Sequence, residues 1–554
     1  MNPTKQNTRK WWGWGYVGKS YSIENRPNVW PFLKQKLALT PRKCRIIALD
    51  DIELPPPKLT AELLKELTEI YGENNINTSK VTRISHSFGQ SYGDVICLRK
   101  GNIDHAIDVV VYPRNEEQIQ KTIIMASKNR LAIIPYGGGT SVTGNLELRN
   151  DESYDGGISM DMRKMNMIQI DNVSQTVTAQ AGIFGPALEE AVNAQGLTLG
   201  HFPQSFEFST LGGWLATRSA GQNSTRYGKI EDMLISLRAI TPTGIIETKS
   251  IPASSTGPSI DQLFVGSEGT LGIISQATLQ LQPLSASTEM CGILFKRFLD
   301  GVQAVRAMSQ AGIVPSVLRI SDEPETEATF MFRSQSANPI KRVAEKGGMW
   351  FLNQRDYSFQ KGSLMILVFE GSPQQVALDK SAALRICKRH RAVSLGNIVG
   401  KAWHKERFLL PYLRDVLLDN GVMIDTLETA ITWDKINNLY FNVRNAISKA
   451  IEKQGMKPLV LTHMSHVYRT GASLYFIFMA NQKIDAELEQ WQEIKAATIE
   501  AILHNGGTLS HHHGVGRDHA RWFEDEVGHL GKAFVLASKS YFDPQHILNP
   551  ENFG

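Results

Sequence analysis

Three adjacent histidines lie near the carboxyl-terminal end of the chain, within Gly-Gly-Thr-Leu-Ser-His-His-His-Gly-Val-Gly at residues 506–516. Imidazoles can ligate a metal ion, transfer protons or donate hydrogen bonds to an anion. Neighbouring residues of an extended chain point to opposite faces, so His511, His512 and His513 are not expected to share one metal ion. We therefore expect no metal site and leave acid–base and anion-binding roles open.

A second group of side chains with chemical potential lies between residues 463 and 475. His463 and His466 would point to opposite faces of a strand, so at least one of them is expected to be structural. Tyr475, in Gly-Ala-Ser-Leu-Tyr-Phe, is either part of a strand core or a proton-transfer group. The pattern by itself favours the core.

Two arginines have apolar neighbours in the sequence, Arg319 in Val-Leu-Arg-Ile and Arg414 in Pro-Tyr-Leu-Arg-Asp. An arginine in such a setting is often buried against an anion, because its planar guanidinium suits a phosphate or a carboxylate. For Arg414, a local ion pair with Asp415 is the alternative.

A glycine loop, Pro-Tyr-Gly-Gly-Gly-Thr-Ser at residues 135–141, directly follows the apolar run at residues 131–134. Successive glycines bring backbone N–H groups close to a ligand and can form a concave anion site, such as one for a pyrophosphate. The Rossmann fingerprint fails because Val142 occupies its third glycine position, and the Walker pattern fails because Asn145 follows Gly144. An ordinary turn remains the alternative.

The surrounding pattern predicts the elements that position this loop. A strand at residues 106–112, a helix capped by Asn115 and a strand at residues 131–136 form a β-α-β unit that delivers the loop at a strand's carboxyl end. Ser209 is predicted to cap a helix over residues 212–220. After a compositional change at residues 282–287, helices and strands of an α+β domain are predicted.

The length, net charge and cysteine content of the chain exclude several classes of function. The chain has 554 residues, enough for two or three domains, and its net charge of +4 does not indicate a nucleic-acid binder. Four widely separated cysteines indicate neither a disulfide framework nor a thiolate metal site, which fits a reducing compartment. The sequence contains no apolar run of membrane-spanning length and no secretory signal.

Four motifs together resemble the FAD-binding domain of vanillyl-alcohol-oxidase type flavoproteins, over about residues 102–284. They are Pro-x-Gly-Gly-Gly-Thr-Ser, Ser-Thr-x-Gly-Gly-Trp, Tyr-Gly-x-Ile-Glu-Asp and Gly-Ser-Glu-Gly-Thr-Leu-Gly. Within that superfamily the chain resembles the alkyldihydroxyacetonephosphate synthase family. The further matches are Trp-Gly-Trp-Gly at residues 12–15, Glu-Phe-Ser-Thr-x-Gly-Gly-Trp at 207–214, Gly-Ala-x-x-Tyr-Phe at 471–476 and Ser-His-His-His-Gly-Val-Gly at 510–516.

The resemblance implies an α+β fold: a two-subdomain FAD-binding domain with a ferredoxin-like α+β cap, an N-terminal helical segment and a C-terminal helical and loop segment. The expected domains are a Trp-rich and helical segment at residues 1–101, the FAD-binding domain at 102–284, the cap or substrate domain at 285–505, and a segment at 506–554 that returns the histidines to the flavin. No histidine lies in the glycine loop, so FAD is expected to bind without a covalent link.

By the same resemblance, the chain exchanges the acyl group of acyl-dihydroxyacetone phosphate for a long-chain fatty alcohol. The substrate's C1 is oxidised by the flavin and trapped on N5, the fatty acid leaves, and the alcohol replaces it with no net redox change. Tyr475 then transfers a proton at C1, and Arg414 binds the anionic head. His511, His512 and His513 lie beside the flavin, and Arg319 matches an arginine that the family needs for activity.

The positions that match the family's FAD contacts form four stretches. They are Pro135, Tyr136, Gly137, Gly138, Gly139, Thr140, Ser141, Gln204, Ser205, Phe206, Glu207, Phe208, Ser209, Thr210, Thr217, Arg218, Ser219, Ala220, Glu268, Gly269, Thr270, Leu271, Gly272, Ile273 and Ile274.

The sequence also departs from the family. It lacks the family's peroxisomal signals, so a cytoplasmic location with membrane-surface contact is expected, and the family implies a homodimer. Gln204 occupies the position of an acid in the animal enzymes, and Tyr468-Arg469-Thr470 precedes the Gly-Ala element, which leaves a different substrate open.

The main alternative is an FAD-linked 2-hydroxy-acid dehydrogenase that passes electrons to an acceptor. Those relatives carry Gly-Asp-Gly-Asn-x-His and Glu-His-Gly where this chain has Arg-Thr-Gly-Ala-Ser-Leu-Tyr and His-His-Gly. A flavin-binding protein without turnover is a third hypothesis, and the presence of Tyr475, Arg414 and the three histidines argues against it.

Overall fold

The computed structural model describes residues 8–40, 42–149, 153–334, 347–350 and 352–553. Its α-helices are Val29–Leu37, Ala61–Tyr71, Lys80–Ser87, Tyr92–Lys100, Glu116–Lys128, Gly185–Asn193, Leu211–Ala216, Ser224–Tyr227, Ile230–Met233, Asp261–Phe264, Phe298–Gln310, Glu323–Met331, Pro373–Arg389, Ile398–Glu406, Leu410–Leu418, Ile436–Lys453, Glu487–His504, Gly516–His519 and Phe523–Phe542. Within the described residues, none of these helices is long and apolar enough to cross a bilayer.

A four-stranded sheet carries the glycine loop. Its strands lie in the order Ile76–Asn77, Val109–Val111, Gly156–Asp161 and Leu131–Tyr136. The last three strands are parallel and almost entirely buried, as expected for strands that are covered on both faces. The predicted β-α-β unit is confirmed, including its cap, because the Asn115 side chain accepts a hydrogen bond from the Gln118 amide at 3.0 Å.

A five-stranded antiparallel sheet follows along the chain. Its strands lie in the order Ile168–Asp171, Thr176–Gln180, Ile273–Gln280, Leu234–Thr241 and Gly244–Glu247. Buried residues alternate along Thr176–Gln180, so one face of this sheet packs on a core that includes Leu211 and Trp214 of a short helix. A small two-stranded sheet pairs Gln282–Pro283 with Leu197–Thr198.

The helix in this region differs from the prediction. It covers only Leu211–Ala216, and its N-cap is Thr210, whose hydroxyl oxygen accepts from the Gly213 amide at 3.4 Å. The prediction that Ser209 caps the helix is wrong. The Ser209 hydroxyl donates instead to the Ser205 carbonyl oxygen at 3.0 Å and accepts from the Trp214 indole N–H at 2.7 Å.

The larger, later part of the chain forms a seven-stranded antiparallel sheet. Its strands lie in the order Ala392–Ser394, Ser287–Phe295, Ser363–Gly371, Val317–Ser321, Leu459–Val467, Gly471–Asn481 and Val422–Thr432. The strand Val422–Thr432 was not predicted. The amphipathic helices Ile436–Lys453 and Glu487–His504 pack together with this sheet around one large core. The predicted α+β class is confirmed.

The end of the chain returns to the first sheet. The Ile133 amide donates to the Ile547 carbonyl oxygen at 2.7 Å, and the Asn549 amide donates to the Ile133 carbonyl oxygen at 2.8 Å. Leu548 is completely buried in the core around that strand. The C-terminal segment thus fixes the strand that ends in the glycine loop.

Candidate functional site

The glycine loop at residues 135–141 is pressed against the segment that follows Phe208. A Cβ on Gly138 would lie 1.7 Å from the Phe208 carbonyl oxygen, and a Cβ on Gly137 would lie 2.4 Å from the Thr210 hydroxyl oxygen. Only glycine allows this approach. On the other side, Arg9 donates a hydrogen bond to the Gly138 carbonyl oxygen at 2.8 Å.

The other predicted cofactor stretches meet this loop. A Cβ on Gly269 would touch the Pro135 ring at 3.0 Å, and the Glu268 amide donates to the Ala216 carbonyl oxygen at 2.9 Å. Residues 217–220 lie between the short helix and this stretch, because Arg218 donates to the Val265 carbonyl oxygen at 3.0 Å. The structure therefore brings residues 135–141, 208–220 and 268–269 together.

The beginning of the second stretch lies elsewhere, at the border with the seven-stranded sheet's domain. Gln204 donates from its side chain to the Arg407 carbonyl oxygen at 2.5 Å. The Phe206 ring stacks on Phe408 with centroids 5.7 Å apart. These residues join the two parts of the molecule, whereas Ser209 and Thr210 face the glycine loop.

The histidine loop, defined here as residues 510–514, is organised by one buried carboxylate. Glu428 is 2% exposed and lies on the strand Val422–Thr432. It accepts hydrogen bonds from the Ser510 hydroxyl at 2.7 Å and from the amides of His511, His512 and His513 at 2.8, 3.1 and 2.9 Å. Burial favours the neutral acid, but the nearby His512 and His513 hold the pKa of Glu428 well below its usual range.

Hydrogen bonds of the histidine loop, and of Val515 and Gly516 directly after it, tie it to the part of the chain that carries the glycine loop. Lys229 donates to the His511 carbonyl oxygen at 2.8 Å, and the Thr143 hydroxyl donates to the His513 carbonyl oxygen at 3.4 Å. Glu268 accepts from the Val515 and Gly516 amides at 2.5 and 2.9 Å. The histidine loop thus lies between the glycine-loop region and the seven-stranded sheet.

His463 and His466 both face the histidine loop, so the prediction that they lie on opposite faces is wrong. The strand Leu459–Val467 has a bulge between Ser465 and Val467, and His466 has a φ of 49°. A bulge inserts one residue into a strand, so the side chains after it no longer alternate between the two faces in the original register. The His466 ring therefore stacks on His511 with centroids 5.2 Å apart, and the His463 ring stacks on Tyr475 at 4.8 Å.

Tyr475 lies at the centre of this aromatic group. Its ring centroid is 6.1 Å from that of His512 and 5.5 Å from that of His513, and its hydroxyl donates to the Thr426 hydroxyl at 3.0 Å. Burial raises the pKa of the Tyr475 hydroxyl, so it is protonated at neutral pH. Burial also lowers the pKa of His511 and of His513 to about 3.

Arg319 belongs to a buried group behind Tyr475. Its guanidinium bonds the Glu325 carboxylate at 2.5 Å and lies 3.1 Å from His463 Nδ1. Burial opposes ionisation of Glu325, yet His463 and Arg319 together lower its pKa to about 2. Arg319 thus contacts the histidine that stacks on Tyr475, and it reaches the site through that ring.

Arg414 does not pair with its neighbour Asp415, so the local ion pair considered as an alternative is absent. Arg414 donates to the Gln90 carbonyl oxygen at 2.6 Å and also bonds the Gln90 side chain. The Gln90 amide in turn donates to the Ser141 carbonyl oxygen at 2.6 Å. Asp415 instead accepts from Lys10 at 2.9 Å and from the Trp14 amide at 3.0 Å.

The residues of the glycine loop fit a pyrophosphate-containing cofactor. Among the described residues, none accepts a backbone hydrogen bond from the amides of Gly138, Gly139, Thr140 or Ser141. Four neighbouring amide donors without backbone acceptors, in a loop whose glycines cannot be replaced without a clash, are what an anionic cofactor needs.

Sequence reasoning missed Glu428, Glu325 and Gln90. Glu325 lies in the acid-rich run Asp-Glu-Pro-Glu-Thr-Glu and carried no signal, whereas Glu428 carried a usable one. Glu428 follows Leu427 in a run rich in apolar and β-branched residues, which is unusual for an unpaired acid. Gln90 carried no such signal.

Comparisons with known proteins agree with this geometry. Residues 107–249 match the family model described as "FAD binding domain", and residues 284–553 match "FAD linked oxidases, C-terminal domain". The chain therefore binds FAD, as predicted.

Three further comparisons cover almost the whole chain. It is 33% identical to alkyldihydroxyacetonephosphate synthase of Dictyostelium discoideum, over 98% of this chain and 92% of that protein. It is 32% identical to the protein of the same name from Caenorhabditis elegans, over 98% and 94%. A solved structure of alkyldihydroxyacetonephosphate synthase superposes with a TM-score of 0.86 at 31% identity and covers all of both chains.

Proposed function

The chain belongs to the alkyldihydroxyacetonephosphate synthase family, and from that premise we propose that it makes an ether lipid precursor. The proposed reaction converts acyl-dihydroxyacetone phosphate and a long-chain fatty alcohol into alkyl-dihydroxyacetone phosphate and a fatty acid. The C1–O bond to the acyl group breaks and a C1–O bond to the alcohol forms. The fatty acid departs, the alcohol loses its proton, and no electron acceptor is consumed.

One observation carries this proposal. Tyr475, on the strand Gly471–Asn481, forms one aromatic group with the rings of His512 and His513, and the histidine loop also contacts Thr143, two residues beyond the glycine loop. FAD, when bound, supplies a reversible acceptor for two electrons. The side chains of this group must therefore move the C1 proton and exclude water around C1.

The roles of Tyr475 and the histidines follow from their protonation states. Tyr475 begins as a proton donor, because burial raises the pKa of its hydroxyl. His511 and His513 begin neutral, because burial lowers the pKa of each to about 3. A phosphate monoester adds negative charge, which raises the pKa of nearby imidazoles. We assign proton donation at C1 to Tyr475, and we assign acceptance of the proton that leaves C1, with the balancing of charge, to the neutral histidines.

Arg414 is assigned to the anionic head of the substrate. Its present partners are the oxygens of Gln90, which are neutral acceptors. A guanidinium forms shorter and stronger hydrogen bonds with a phosphate than with an amide oxygen. Arg319 is assigned a positioning role through His463.

The test uses purified holoenzyme, acyl-dihydroxyacetone phosphate and hexadecanol, without an electron acceptor. We expect alkyl-dihydroxyacetone phosphate and free fatty acid to accumulate over many turnovers, as measured by mass spectrometry. Tyr475→Phe should abolish the product while the protein keeps its flavin. Tyr71→Phe is a matched control, because Tyr71 is also buried and bonds a threonine hydroxyl, Thr122, at 2.7 Å, but lies outside the site.

The opposite result would favour the dehydrogenase alternative. If no ether product forms, yet a 2-hydroxy acid bleaches the flavin and a dye acceptor restores its colour, the synthase proposal is refuted. The roles of Tyr475 and Arg414 would then have to be reassigned.

We further propose that the protein is cytoplasmic and works at a membrane surface. The helix Phe523–Phe542 exposes Leu530, Phe534 and Tyr541 by 83, 59 and 72%, at spacings that place them on one face. Gly528, with a φ of 75°, interrupts this helix, and the turn before it contacts the residue preceding the histidine loop, because Glu526 accepts from the Leu509 amide at 2.8 Å. Substrates with long apolar chains would arrive on that side.

Sedimentation with phospholipid vesicles tests this surface. Leu530→Glu with Phe534→Glu should reduce binding at least about tenfold, because charge on an apolar face opposes insertion into the interface. Leu378→Glu, on another helix where Leu378 is 66% exposed, is the control and should bind as the unmodified chain does. Equal binding by both variants would disprove the proposal that this surface contacts a membrane.

Light scattering tests whether the protein forms the homodimer that the family implies.

A further inference from the structure

Three imidazoles from two separate segments meet beside Tyr475. His511 and His512 come from the histidine loop, and His466 comes from the bulge in the strand Leu459–Val467. Their ring centroids form a triangle with each side 5.2 Å long. One ring nitrogen of each histidine lies within 4.8 Å of the other two. We refer to these residues as the imidazole triangle.

The hydrogen bonding of the imidazole triangle is incomplete. His466 is 8% exposed, and its Nδ1 has no hydrogen-bond partner among the described residues. His511 Nδ1 and His512 Nδ1 lie 3.0 Å apart, so these two nitrogens share at most one proton and at least one lone pair faces the other ring. Buried polar atoms without partners require an explanation, and a bound ion provides one.

The separation of the nitrogens suits a small transition-metal ion. A tetrahedral zinc ion with Zn–N bonds of about 2.1 Å holds its ligand nitrogens about 3.4 Å apart. The Nδ1 atoms of His511 and His512 lie near that separation, at 3.0 Å, and a ring nitrogen of His466 lies within 4.8 Å of a ring nitrogen of each. Adjacent histidines alone do not make this site, since the third ligand comes from the strand bulge that places His466 on the same side.

The surroundings favour a cation. Glu428 Oε2 lies 3.4 Å from His512 Nδ1, and this carboxylate also holds the backbone of His511 and His512. This buried carboxylate places a negative charge beside the imidazole triangle, which stabilises a bound cation. The nearest cation, Lys229, is paired with Glu231 at 2.9 Å.

The imidazole triangle is open to solvent on one side. The Tyr468 hydroxyl lies 2.5 Å from His511 Nε2, and Tyr468 is 38% exposed. This hydroxyl occupies Nε2 of His511 and leaves its Nδ1 for the ion, and a water molecule would complete a four-coordinate shell. Three protein ligands and one exchangeable position are the pattern of an accessible zinc site.

We propose that His466, His511 and His512 form a binding site for one divalent ion of the zinc class. Three neutral imidazoles select Zn²⁺, Co²⁺, Ni²⁺ or Cu²⁺ and discriminate against Mg²⁺ and Ca²⁺, which prefer oxygen ligands. This proposal departs from the expectation that the chain binds no metal. It also adds a regulatory consequence that rests on the proposed function: the ion occupies a lone pair of His512, whose ring lies beside Tyr475, and inhibits the synthase.

The first experiment measures binding without using activity. Untagged, FAD-loaded protein is stripped with a chelator and titrated with Co²⁺. We expect one ion per chain by elemental analysis and ligand-field bands at longer wavelength than the flavin absorption. X-ray absorption of the Zn²⁺-loaded protein should show imidazole scattering from three rings. Absence of stoichiometric uptake, or a shell made only of oxygen ligands, overturns the proposal.

Variants assign the ion to the imidazole triangle. His466→Asn, which keeps a residue that tolerates positive φ, and His511→Gln should each weaken Co²⁺ binding at least about tenfold. His529→Ala is the control, because His529 lies on the exposed surface away from the cluster, and it should bind as the unmodified chain does. Unchanged affinity in His466→Asn and His511→Gln, with flavin retained, overturns the assignment.

The inhibition is tested separately in the ether-lipid assay with added Zn²⁺. If Co²⁺ binds as described but the protein makes no ether product, the proposed function fails and the metal site stands. If the ether product forms and neither Zn²⁺ nor Co²⁺ binds, the metal site fails and the proposed function stands.

Discussion

At the scale of single residues, Glu428 determines the geometry of the site. It touches none of the reacting atoms that we propose, yet its two carboxylate oxygens receive hydrogen bonds from one hydroxyl and three consecutive amides of the histidine loop. A carboxylate that accepts several N–H bonds fixes a loop more firmly than any single side-chain contact. Glu428 is therefore a positioning residue.

The substitution Glu428→Gln tests that role. The new amide group must face an N–H or O–H donor of the loop, so we expect the free energy of unfolding to fall by about 2–4 kcal/mol. Displacement of the rings should lower kcat by roughly 10²-fold, with KM for the alcohol little changed. Chemical unfolding and steady-state kinetics give the two values.

Glu526→Gln is the matched control for this comparison. Glu526 accepts from the Leu509 amide at 2.8 Å and from the Thr508 hydroxyl at 2.5 Å, next to the same loop, but it is exposed. We expect kcat within about threefold of the unmodified value, because exposed hydrogen bonds contribute little. Equal losses in both variants would show that the carboxylate at residue 428 has no special role.

Among the secondary-structure elements, a strand bulge and a helix cap position the functional side chains. The bulge at His466 moves that ring to the side of the histidine loop. The helix Tyr92–Lys100 begins with a capping box in which Ser91 and Asp94 exchange hydrogen bonds, and Asp94 also accepts from the Gly89 amide at 3.1 Å. This cap holds residues 89–91, the segment that connects Arg414 to the glycine loop.

The capping box predicts an unusual dependence of stability on pH. Burial, followed by the charges of Asp518 and Glu147, raises the pKa of Asp94 to about 7. The folded state therefore binds a proton more tightly than the unfolded state, in which the pKa is near 3.8. This contribution to the free energy of unfolding is complete below about pH 3.8 and is lost as the pH rises towards 7, at no more than about 1.4 kcal/mol per pH unit.

Asp94→Asn should make the stability less dependent on pH. We expect a smaller decrease in Tm between pH 5 and about 7 than for the unmodified chain, because asparagine does not ionise. Glu117→Gln serves as the control, since the pKa of the exposed Glu117 is lowered by Lys121 and its effect lies below this range. A decrease in Tm that is the same in all three proteins would contradict the assignment to Asp94.

At the scale of the whole molecule, the site depends on the return of the C-terminal segment. Leu548 is fully buried beside the strand Leu131–Tyr136, and Lys539 donates to the carbonyl oxygens of both Leu548 and Thr270. The end of the chain thus connects two stretches that are predicted to contact FAD, although more than 270 residues separate Thr270 from Leu548.

Leu548→Ala should therefore weaken both the fold and the cofactor site. A fully buried leucine replaced by alanine costs about 2–5 kcal/mol, so we expect a lower Tm and a higher Kd for FAD in a flavin-release assay. Leu378→Ala, at a residue 66% exposed, should change the free energy of unfolding by less than about 0.5 kcal/mol. Unchanged FAD affinity in Leu548→Ala would separate the C-terminal segment from the cofactor site.

The strand before the glycine loop and the α+β fold class could be predicted from the sequence alone. The strand Leu131–Tyr136 was predicted with its bounds, and Asn115 was predicted as the cap of the helix before it, because both features depend on neighbours within a few positions. The motifs around residues 135–141, 207–214 and 510–516 also sufficed to identify the family. The FAD contacts and the roles of Tyr475, Arg319, Arg414 and the histidines stay predictions.

The contacts between side chains that are distant in the sequence depend on the tertiary structure. Glu428 and the histidine loop are about 80 residues apart in the chain, and no local pattern couples them. The prediction for His466 was wrong because the alternation of side chains along a strand does not reveal a bulge. The helix cap is Thr210 and not Ser209 because the Ser209 hydroxyl accepts a hydrogen bond from the Trp214 indole. The periodicity of apolar residues indicates which face of a helix or strand is buried. Which distant side chains pair, and which of two competing partners forms a hydrogen bond, depends on how the elements pack.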